Sequence, residues 1–361
     1  MSVRLLIGRS GSGKTTFCLN EIKSHLKDKP EGNPIIYLVP DQMTFLSEYR
    51  LITGEDINGM IRAQVFSFSR LAWRVLQETG GISRQHLTSV GLNMLIRKII
   101  EEKKADLKIF DKAADKNGFI EQMEQMLTEF KRYCIQPNEL NVRREALSES
   151  DRRTTRVLKD KLHDLELIYS SFEESLHQKY LDSEDYFRLL TEKAQDSTFI
   201  QNAEVFIDGF DSFTPQEYMV IAALMKNCKR VTIALTLDEP FYQAPPDELH
   251  LFRLSGETCQ TVYEIAHTEG VEIETVIPFT EQKRWNNNSL RHLEAFFDTR
   301  PAKKFELKSN IHIGQAVNRR AEVEGVARQI KELVSQSAYR YRDIAVLIRN
   351  GQEYQEVLET V

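Results

Sequence analysis

The sequence predicts an α/β fold in which a parallel sheet carries a phosphate-binding loop and is interrupted by an inserted α-helical domain. A short apolar run at residues 3–7 leads directly into a glycine-rich motif at residues 8–15. Similar apolar runs recur at residues 35–40, 203–208 and 231–236, as buried parallel strands do. Between about residues 85 and 200 the chain is instead rich in charge and has helical periodicity.

The glycine-rich motif matches G-x-x-x-x-G-K-[ST], the P-loop pattern. Its residues are Gly8, Arg9, Ser10, Gly11, Ser12, Gly13, Lys14 and Thr15. In such a loop the backbone N–H groups surround the α- and β-phosphates, the lysine reaches the β- and γ-phosphates, and the Thr hydroxyl ligates Mg²⁺. A helix that begins near Lys14 adds its positive dipole end. We therefore expect a P-loop NTPase (RecA-like) sheet that binds ATP with Mg²⁺; a plain Gly/Ser-rich turn is the alternative.

The amino-acid composition limits the classes of protein to which this chain can belong. The 361 residues are 41% hydrophobic and 28% charged, with a net charge of −6, so any contact with DNA is expected in a local groove rather than over the whole surface. The four cysteines are widely spaced, which favours a reducing, cytoplasmic location and no zinc or iron–sulfur site completed within this stretch. No apolar run approaches the roughly 18 residues that a membrane helix needs.

The remaining elements follow in chain order. The run at residues 35–40 completes a βαβ unit with the first strand and the loop helix, and the runs at 203–208 and 231–236 are expected in the same sheet. The polar residues 280–289 predict a loop. Residues 343–349 predict a strand, followed by a helix that starts near Gln352. No stop signal marks Val361, so we expect a fragment of a longer protein.

The helical insertion has one clear amphipathic pattern. An apolar stripe with alternating steps of four and three consists of Leu158, Leu162, Leu165, Tyr169, Phe172 and Leu176. It favours a helix packed in a bundle over a partner-binding coiled coil. The expected domains are residues 1–84 and 201–295 for the P-loop domain, 85–200 for the insertion, and 296–361 for the start of a second, truncated domain.

An acidic residue follows the third of these strands. Asp208 ends the run at residues 203–208 and is expected to hold Mg²⁺ together with Thr15; an aspartate in a plain turn is the alternative. Hydrolysing motors carry a glutamate next, which polarises the attacking water, whereas this chain has Gly209. Since glycine has no side chain for that role, we expect slow or absent hydrolysis.

Aromatic and polar side chains alternate at residues 64–74, where Phe66, Phe68, Arg70 and Trp73 are close together. Bases stack on rings while guanidinium and hydroxyl groups hold phosphates and base edges, so this composition is typical of a single-strand groove. Taken alone, the segment favours a strand and helix start whose aromatics are core. Residues 41–45, after the second strand, are expected in the same crevice, which favours the groove.

These motifs together resemble a known family. Residues 8–15, 39–45 (VPDQMTF), 208–211 (DGFD) and 341–347 (YRDIAVL) follow the motif order of superfamily 1 DNA helicases of the UvrD type. Residues 38–45, 64–74 and 130–134 (FKRYC) resemble AddB, the B-subunit family of the bacterial AddAB helicase–nucleases. The sequence departs from UvrD-type motors at Gly209 and Asp211, and it has no counterpart of their adenine-reading glutamine before the first strand.

The resemblance implies a heterodimer with AddA that resects double-strand DNA breaks for recombinational repair. In that family the A subunit is the motor, while the B subunit scans the single strand for the Chi sequence and carries a nuclease domain with its Mg²⁺ and a 4Fe-4S cluster. Those nuclease and cluster residues are expected beyond Val361. By resemblance, the DNA-binding residues are expected to be Gln42, Thr44, Phe68, Arg70, Trp73 and Phe210.

Two other functions remain open on sequence alone. One is an active superfamily 1 helicase motor, and the main argument against it is Gly209, which has no side chain to polarise water. A P-loop kinase for a small molecule would use the helical insertion as a lid, but the long gap between the loop and Asp208 and the aromatic segment at 64–74 argue against it.

Overall fold

A computed structural model describes residues 1–53, 60–81, 85–113, 116–147, 153–182 and 184–361. It contains two compact units, Met1–Arg284 and Trp285–Val361. The expected boundary at residue 84 lies outside the described residues. Among the described residues, no helix is long and apolar enough to cross a membrane.

The elements are numbered in chain order. The strands are β1 (Ser2–Gly8), β2 (Ile35–Leu38), β3 (Ala63–Phe66), β4 (Gln85–His86), β5 (Tyr180–Leu181), β6 (Glu204–Ile207), β7 (Arg230–Thr236), β8 (Glu272–Ile273) and β9 (Ile277–Phe279). The α-helices are α1 (Lys14–Asp28), α2 (Thr44–Ile52), α3 (Phe68–Thr79), α4 (Ser89–Lys103), α5 (Asn117–Arg132), α6 (Pro137–Ala146), α7 (Arg153–Lys179), α8 (Asp185–Lys193), α9 (Pro215–Asn227), α10 (Arg253–Thr268), α11 (Asn288–Phe296), α12 (Arg319–Gln336) and α13 (Gly351–Thr360).

A seven-stranded sheet forms the centre of the first unit, as far as the described residues show it. Its order is β3-β2-β6-β7-β1-β8, with β9 also paired to β1, and its ladders are parallel. The predicted α/β class is therefore confirmed, as are the strands expected within residues 35–40, 203–208 and 231–236. Because the strands are parallel, their carboxyl ends lie at one edge, where the loops that follow β1, β2 and β6 come together.

Helices cover both faces of this sheet, which explains why most residues of its central strands are apolar on both faces. On one face, Cys18, Ile22 and Leu26 of α1 pack against side chains such as Ile35 and Phe206. The opposite face packs against residues of α3, α8, α9 and α10. The sheet is thus a rigid support for the loops at its carboxyl edge.

The helices α4 to α7, encoded between β3 and β6, have an apolar core of their own. Within the predicted stripe on α7, Leu165, Tyr169, Phe172 and Leu176 are buried, whereas Leu158 is 43% exposed. The expected packed helix is confirmed for the last four positions of that stripe. The short parallel pair β4 and β5 brings the start of α4 and the end of α7 together.

An ion cluster around Lys131 joins α5 to α7 and to the residues at the start of α8. The Nζ of Lys131 lies 2.7 Å from an oxygen of Asp182, 3.0 Å from Asp185 and 3.4 Å from Glu173. Burial lowers the pKa of Lys131, but the three carboxylates outweigh it and the pKa is raised. Lys131 is therefore a permanent cation whose loss would leave buried carboxylates uncompensated.

The second unit contains α11, α12 and α13. The helix expected near Gln352 is confirmed as α13, and the hydroxyl of Tyr354 donates to Glu322 of α12 over 2.8 Å. The strand predicted at residues 343–349 is wrong, because residues 344–348 form no ladder with any segment of this unit. An apolar run becomes a strand only where a neighbouring strand accepts its backbone hydrogen bonds.

Candidate nucleotide and nucleic-acid site

The loop of residues 8–15 connects β1 to α1 through conformations that need glycine. Gly13 caps the start of α1 with a φ of 104°, and Gly11 has a φ of 86°. A Cβ on Gly8 would lie 2.6 Å from Ser12 Oγ, so a side chain there would close the loop. The loop thus leaves room for a ligand at the positive end of α1.

Two polar groups point into this loop. Lys14 is 8% exposed, and its Nζ donates to the carbonyls of Gly8 and, over 3.2 Å, Arg9. Burial lowers the pKa of Lys14, and the charge of Asp208 opposes that shift. The buried Ser12 Oγ has no hydrogen-bond partner among the described residues. An anion in the loop would accept a hydrogen bond from the Ser12 hydroxyl and lie beside the Lys14 ammonium, which is how phosphate oxygens fit such a site.

Asp208 follows β6 and is fixed by a hydrogen bond from the sheet. Its Oδ2 accepts from the hydroxyl of Tyr37 on β2 over 2.9 Å, and Tyr37 is fully buried while Asp208 is 4% exposed. Burial raises the pKa of Tyr37, and so does the charge of Asp208, so the hydroxyl keeps its proton and donates. The carboxylate is thereby held in one orientation.

A cavity of about 850 Å³ joins these groups. Its lining includes Ser10, Gly11, Lys14, Thr15 and Asp208, and this volume lies within the range of ligand sites. No cluster of three or more His, Cys, Asp or Glu side chains suited to a metal occurs among the described residues. A Mg²⁺ ion here would take oxygens from Thr15 and Asp208 and the rest from phosphates and water, as Mg²⁺ commonly does.

A second, smaller cavity of about 300 Å³ lies at the carboxyl ends of β2, β3 and β6. Its lining includes Pro40, Asp41, Phe68 and Phe210. Phe210 also lines the larger cavity, so the two spaces share one wall. Of the six expected DNA-binding residues, Phe68 and Phe210 meet here, with ring centroids 5.5 Å apart.

The ring of Phe68 is more enclosed than a free stacking face. It is 4% exposed and packs edge-on against the rings of Phe187 and Phe213 as well as Phe210. Phe68 therefore forms a wall of the smaller cavity, with most of its ring area used within the protein.

The other four expected residues lie outside the lining of that cavity. Gln42 is exposed, and Thr44 begins α2 with its hydroxyl donating to the carbonyl of Asp41 over 2.9 Å. Arg70 on α3 lies 3.6 Å from Glu48 of α2. Trp73, one turn further, is 45% exposed with its ring edge-on to Tyr186.

Comparisons with known proteins identify the family. A family model described as "ADDB, N-terminal" matches residues 5–294. The chain belongs to the AddB N-terminal family. Proteins named as the B subunits of an ATP-dependent helicase/deoxyribonuclease, from Anoxybacillus flavithermus, Geobacillus kaustophilus and Bacillus mycoides, are 55%, 51% and 49% identical to it over 100% of the chain. The chain spans 31% of the length of each. The AddB resemblance seen in the sequence is confirmed.

In this member of the AddB N-terminal family, the residue after Asp208 has a backbone that favours glycine. Gly209 has a φ of 86°, and a Cβ there would lie 2.9 Å from Met43 Sδ and 3.2 Å from Pro40 Cδ. A glutamate at this position would be strained in both backbone and side chain. The segment that packs on Gly209 is the one that connects β2 to α2.

The sequence did not reveal that residues 282–284, which we call the cover segment, lie on the glycine-rich loop. Gln282 Nε2 donates to the carbonyl of Ser10 over 2.8 Å, the backbone N–H of Lys283 donates to Gly11 over 3.0 Å, and Arg284 donates to Ser10 Oγ over 3.2 Å. Residues 280–287 form a loop, as predicted, whereas the last two residues of the predicted loop, Asn288 and Ser289, begin α11. Its only sequence signal was polarity, which does not say what a loop contacts.

Proposed function

We propose that this chain is the nucleotide- and DNA-binding region of the B subunit of a heterodimeric ATP-dependent helicase–nuclease, which works with AddA to resect double-strand DNA breaks. The observation that supports the proposal is that Lys14, Thr15 and Asp208 line one cavity. The names of the relatives as helicase/deoxyribonuclease B subunits support the same role. We assign residues 1–84 and 201–295 to a P-loop NTPase (RecA-like) domain, 85–200 to its insertion and 296–361 to the start of a second domain.

The proposed ligand is ATP with Mg²⁺. Backbone N–H groups of the loop and the Ser12 hydroxyl would surround the phosphates, and Lys14 would neutralise the β- and γ-phosphates. Thr15 and Asp208 would hold the metal, which would offset the charge of the phosphates. Tyr37 orients Asp208 by its hydrogen bond, so the carboxylate needs little rearrangement to receive the ion.

We propose that this site binds ATP with slow or absent hydrolysis, so that AddA supplies the movement. Hydrolysis needs a base that orients water at the γ-phosphate. The conformation of Gly209 disfavours the glutamate that motors use at this position. The lack of this glutamate distinguishes the proposed function from that of an active helicase motor.

The proposed path of the single strand runs along the carboxyl edge of β2, β3 and β6. Arg70 and Gln42 would donate paired hydrogen bonds to base edges, while Trp73 and the accessible part of Phe210 would offer stacking faces. Thr44 and Phe68 would shape the wall. This surface would read the Chi sequence. The nuclease site with its Mg²⁺ and the 4Fe-4S cluster are assigned to parts of the cytoplasmic protein outside this chain.

A single substitution tests the nucleotide site. In the complex with AddA, Lys14→Ala should abolish crosslinking of 8-azido-ATP to this subunit, while strand separation by the complex continues. Lys27→Ala, at the far end of α1, is the matched control and should crosslink normally. Retained crosslinking in Lys14→Ala would contradict the nucleotide site, and loss of unwinding would establish this subunit as a motor.

A further inference from the structure

The larger cavity has a second cationic wall that the glycine-rich motif does not include. Arg50 lies on α2, and this helix presents different residues to three sides. Ser47 and Leu51 are buried, Leu46 and Arg50 line the cavity, and Glu48 pairs with Arg70. These positions are separated by the angles expected on one helix. The buried residues and the ion pair fix the orientation of α2, and in this orientation Arg50 faces the cavity.

Arg50 lines the same cavity as the proposed metal ligand Asp208. Arg50 nevertheless has no carboxylate within ion-pair distance among the described residues. A cation on a cavity wall without a protein counterion is suited to an anionic ligand.

The order of the strands indicates which part of the ligand Arg50 would meet. The glycine-rich loop follows β1, Asp208 follows β6, and α2 follows β2, and these strands lie in the order β2-β6-β7-β1. In the proposed function the glycine-rich loop would hold the β-phosphate, and Thr15 and Asp208 would hold the Mg²⁺ that offsets the phosphate charge. The γ-phosphate would then lie between the loop and Asp208, on the side that faces α2.

The charge of the cavity fits a triphosphate. Its lining contains four cationic side chains, Lys14, Arg50, Lys283 and Arg284, and two carboxylates, Asp208 and Asp211. A nucleoside triphosphate with its Mg²⁺ carries about two negative charges and the diphosphate about one. With Arg50, the four cations exceed the two carboxylates by two charges, which balances the triphosphate with its Mg²⁺. Without Arg50 the excess would be one charge, which balances the diphosphate.

We infer that Arg50 is a γ-phosphate ligand that makes this site prefer ATP to ADP. This inference rests on the proposed nucleotide site and adds to it a residue that distinguishes the two nucleotides. The guanidinium would donate to γ-phosphate oxygens from the wall opposite the glycine-rich loop. ADP lacks that phosphate, so its binding would not depend on Arg50.

Equilibrium binding of two probes tests the assignment. Isothermal titration of the purified full-length subunit, without AddA, measures the dissociation constants of ATPγS·Mg and ADP·Mg for this site alone. Arg50→Ala should weaken ATPγS about tenfold or more and leave ADP nearly unchanged. Arg50→Lys should retain part of the preference because it keeps the charge. Arg143→Ala, an exposed arginine on α6, should bind both nucleotides as the wild type does.

The outcomes separate the inference from the function on which it rests. If Lys14→Ala leaves the affinity for both nucleotides unchanged, the nucleotide site itself is wrong. If Lys14→Ala abolishes binding but Arg50→Ala keeps the wild-type preference for ATPγS, Arg50 is not a γ-phosphate ligand. Equal weakening of both nucleotides by Arg50→Ala would likewise overturn the inference. The inference would also be overturned if Arg50→Ala kept the nucleotide preference but weakened retention of a single-stranded oligonucleotide, because Arg50 would then contact DNA.

Discussion

Replacing Gly209 by glutamate would determine whether the slow hydrolysis that we propose for this site comes from one missing side chain or from the backbone around it. If only the side chain were missing, the substitution should create ATP turnover. The structure predicts instead that the backbone conformation keeps a glutamate from adopting a productive position. The substitution should therefore destabilise the subunit without activating it.

The expected cost follows from the geometry. A non-glycine residue with a φ of 86° costs about 1–3 kcal/mol. A Cβ 3.2 Å from the ring of Pro40 and 2.9 Å from Met43 Sδ adds to this, although the methionine can move. We expect a loss of about 2–3 kcal/mol in the free energy of unfolding, which lowers the melting temperature by roughly 4–12 °C for a domain of this size.

Calorimetry and an ATPase assay together measure this prediction. Gly209→Ala and Gly209→Glu should both lower the temperature of the unfolding transition that ATPγS·Mg raises in the wild type. Gly118→Ala in α5, where an added Cβ meets nothing within 4 Å, is the control and should melt at least as high as the wild type. Neither Gly209 variant should hydrolyse ATP in a complex whose AddA site is inactivated. A glutamate variant that melts with the wild type and hydrolyses ATP would refute the reasoning.

Two further predictions concern the proposed DNA path and the helical insertion. Trp73→Ala should weaken binding of a single-stranded oligonucleotide to the AddA complex by about 1–3 kcal/mol, roughly five- to 150-fold, in a filter-binding assay. Tyr339 is an exposed aromatic residue of the second unit, and the control Tyr339→Ala should bind the oligonucleotide as the wild type does. Equal retention of the oligonucleotide by the two variants would exclude Trp73 from the path. Burial raises the pKa of Asp164, but N–H donors at residues 108–110 outweigh it and hold that pKa below its ordinary value of 3.8. Its stabilising contribution is thus present above pH 3.8 and lost as the pH falls through the lower folded value. Asp164→Asn should therefore destabilise the subunit in urea at pH 7 by about 1–3 kcal/mol, and the difference should shrink in acid rather than stay constant.

Much of the sheet was predictable because its strands are apolar on both faces. The runs that became β1, β2, β6 and β7 contain few polar residues, and each ends near a loop or helix signal. The same reasoning failed at residues 343–349, because a run of apolar residues specifies burial and not a pairing partner. Similarly, the sequence indicated that Tyr37 belongs to a buried strand but gave no sign that its hydroxyl holds Asp208.

The candidate site was predictable where its residues are close in the sequence. Residues 8–15 form a local motif whose backbone conformations follow from its glycines. The cover segment could not be placed, because it meets the loop across a separation of 272 residues. The enclosure of Phe68 also depends on distant partners such as Phe187, and an alternation of aromatic and polar residues does not distinguish an open ring from a packed one.

The position of β1 within the sheet has a consequence for the synthesis of the protein. Its neighbours are β7 on one side and β8 and β9 on the other, so every strand that pairs with β1 among the described residues is encoded after residue 229. At roughly 5–20 residues per second, the ribosome needs about 10–45 s to reach that point. During this interval β1 has no native strand to pair with, and its apolar side chains are available for binding by chaperones. The glycine-rich loop is encoded before the strands that pair with β1, so it is among the last parts of the unit to be assembled.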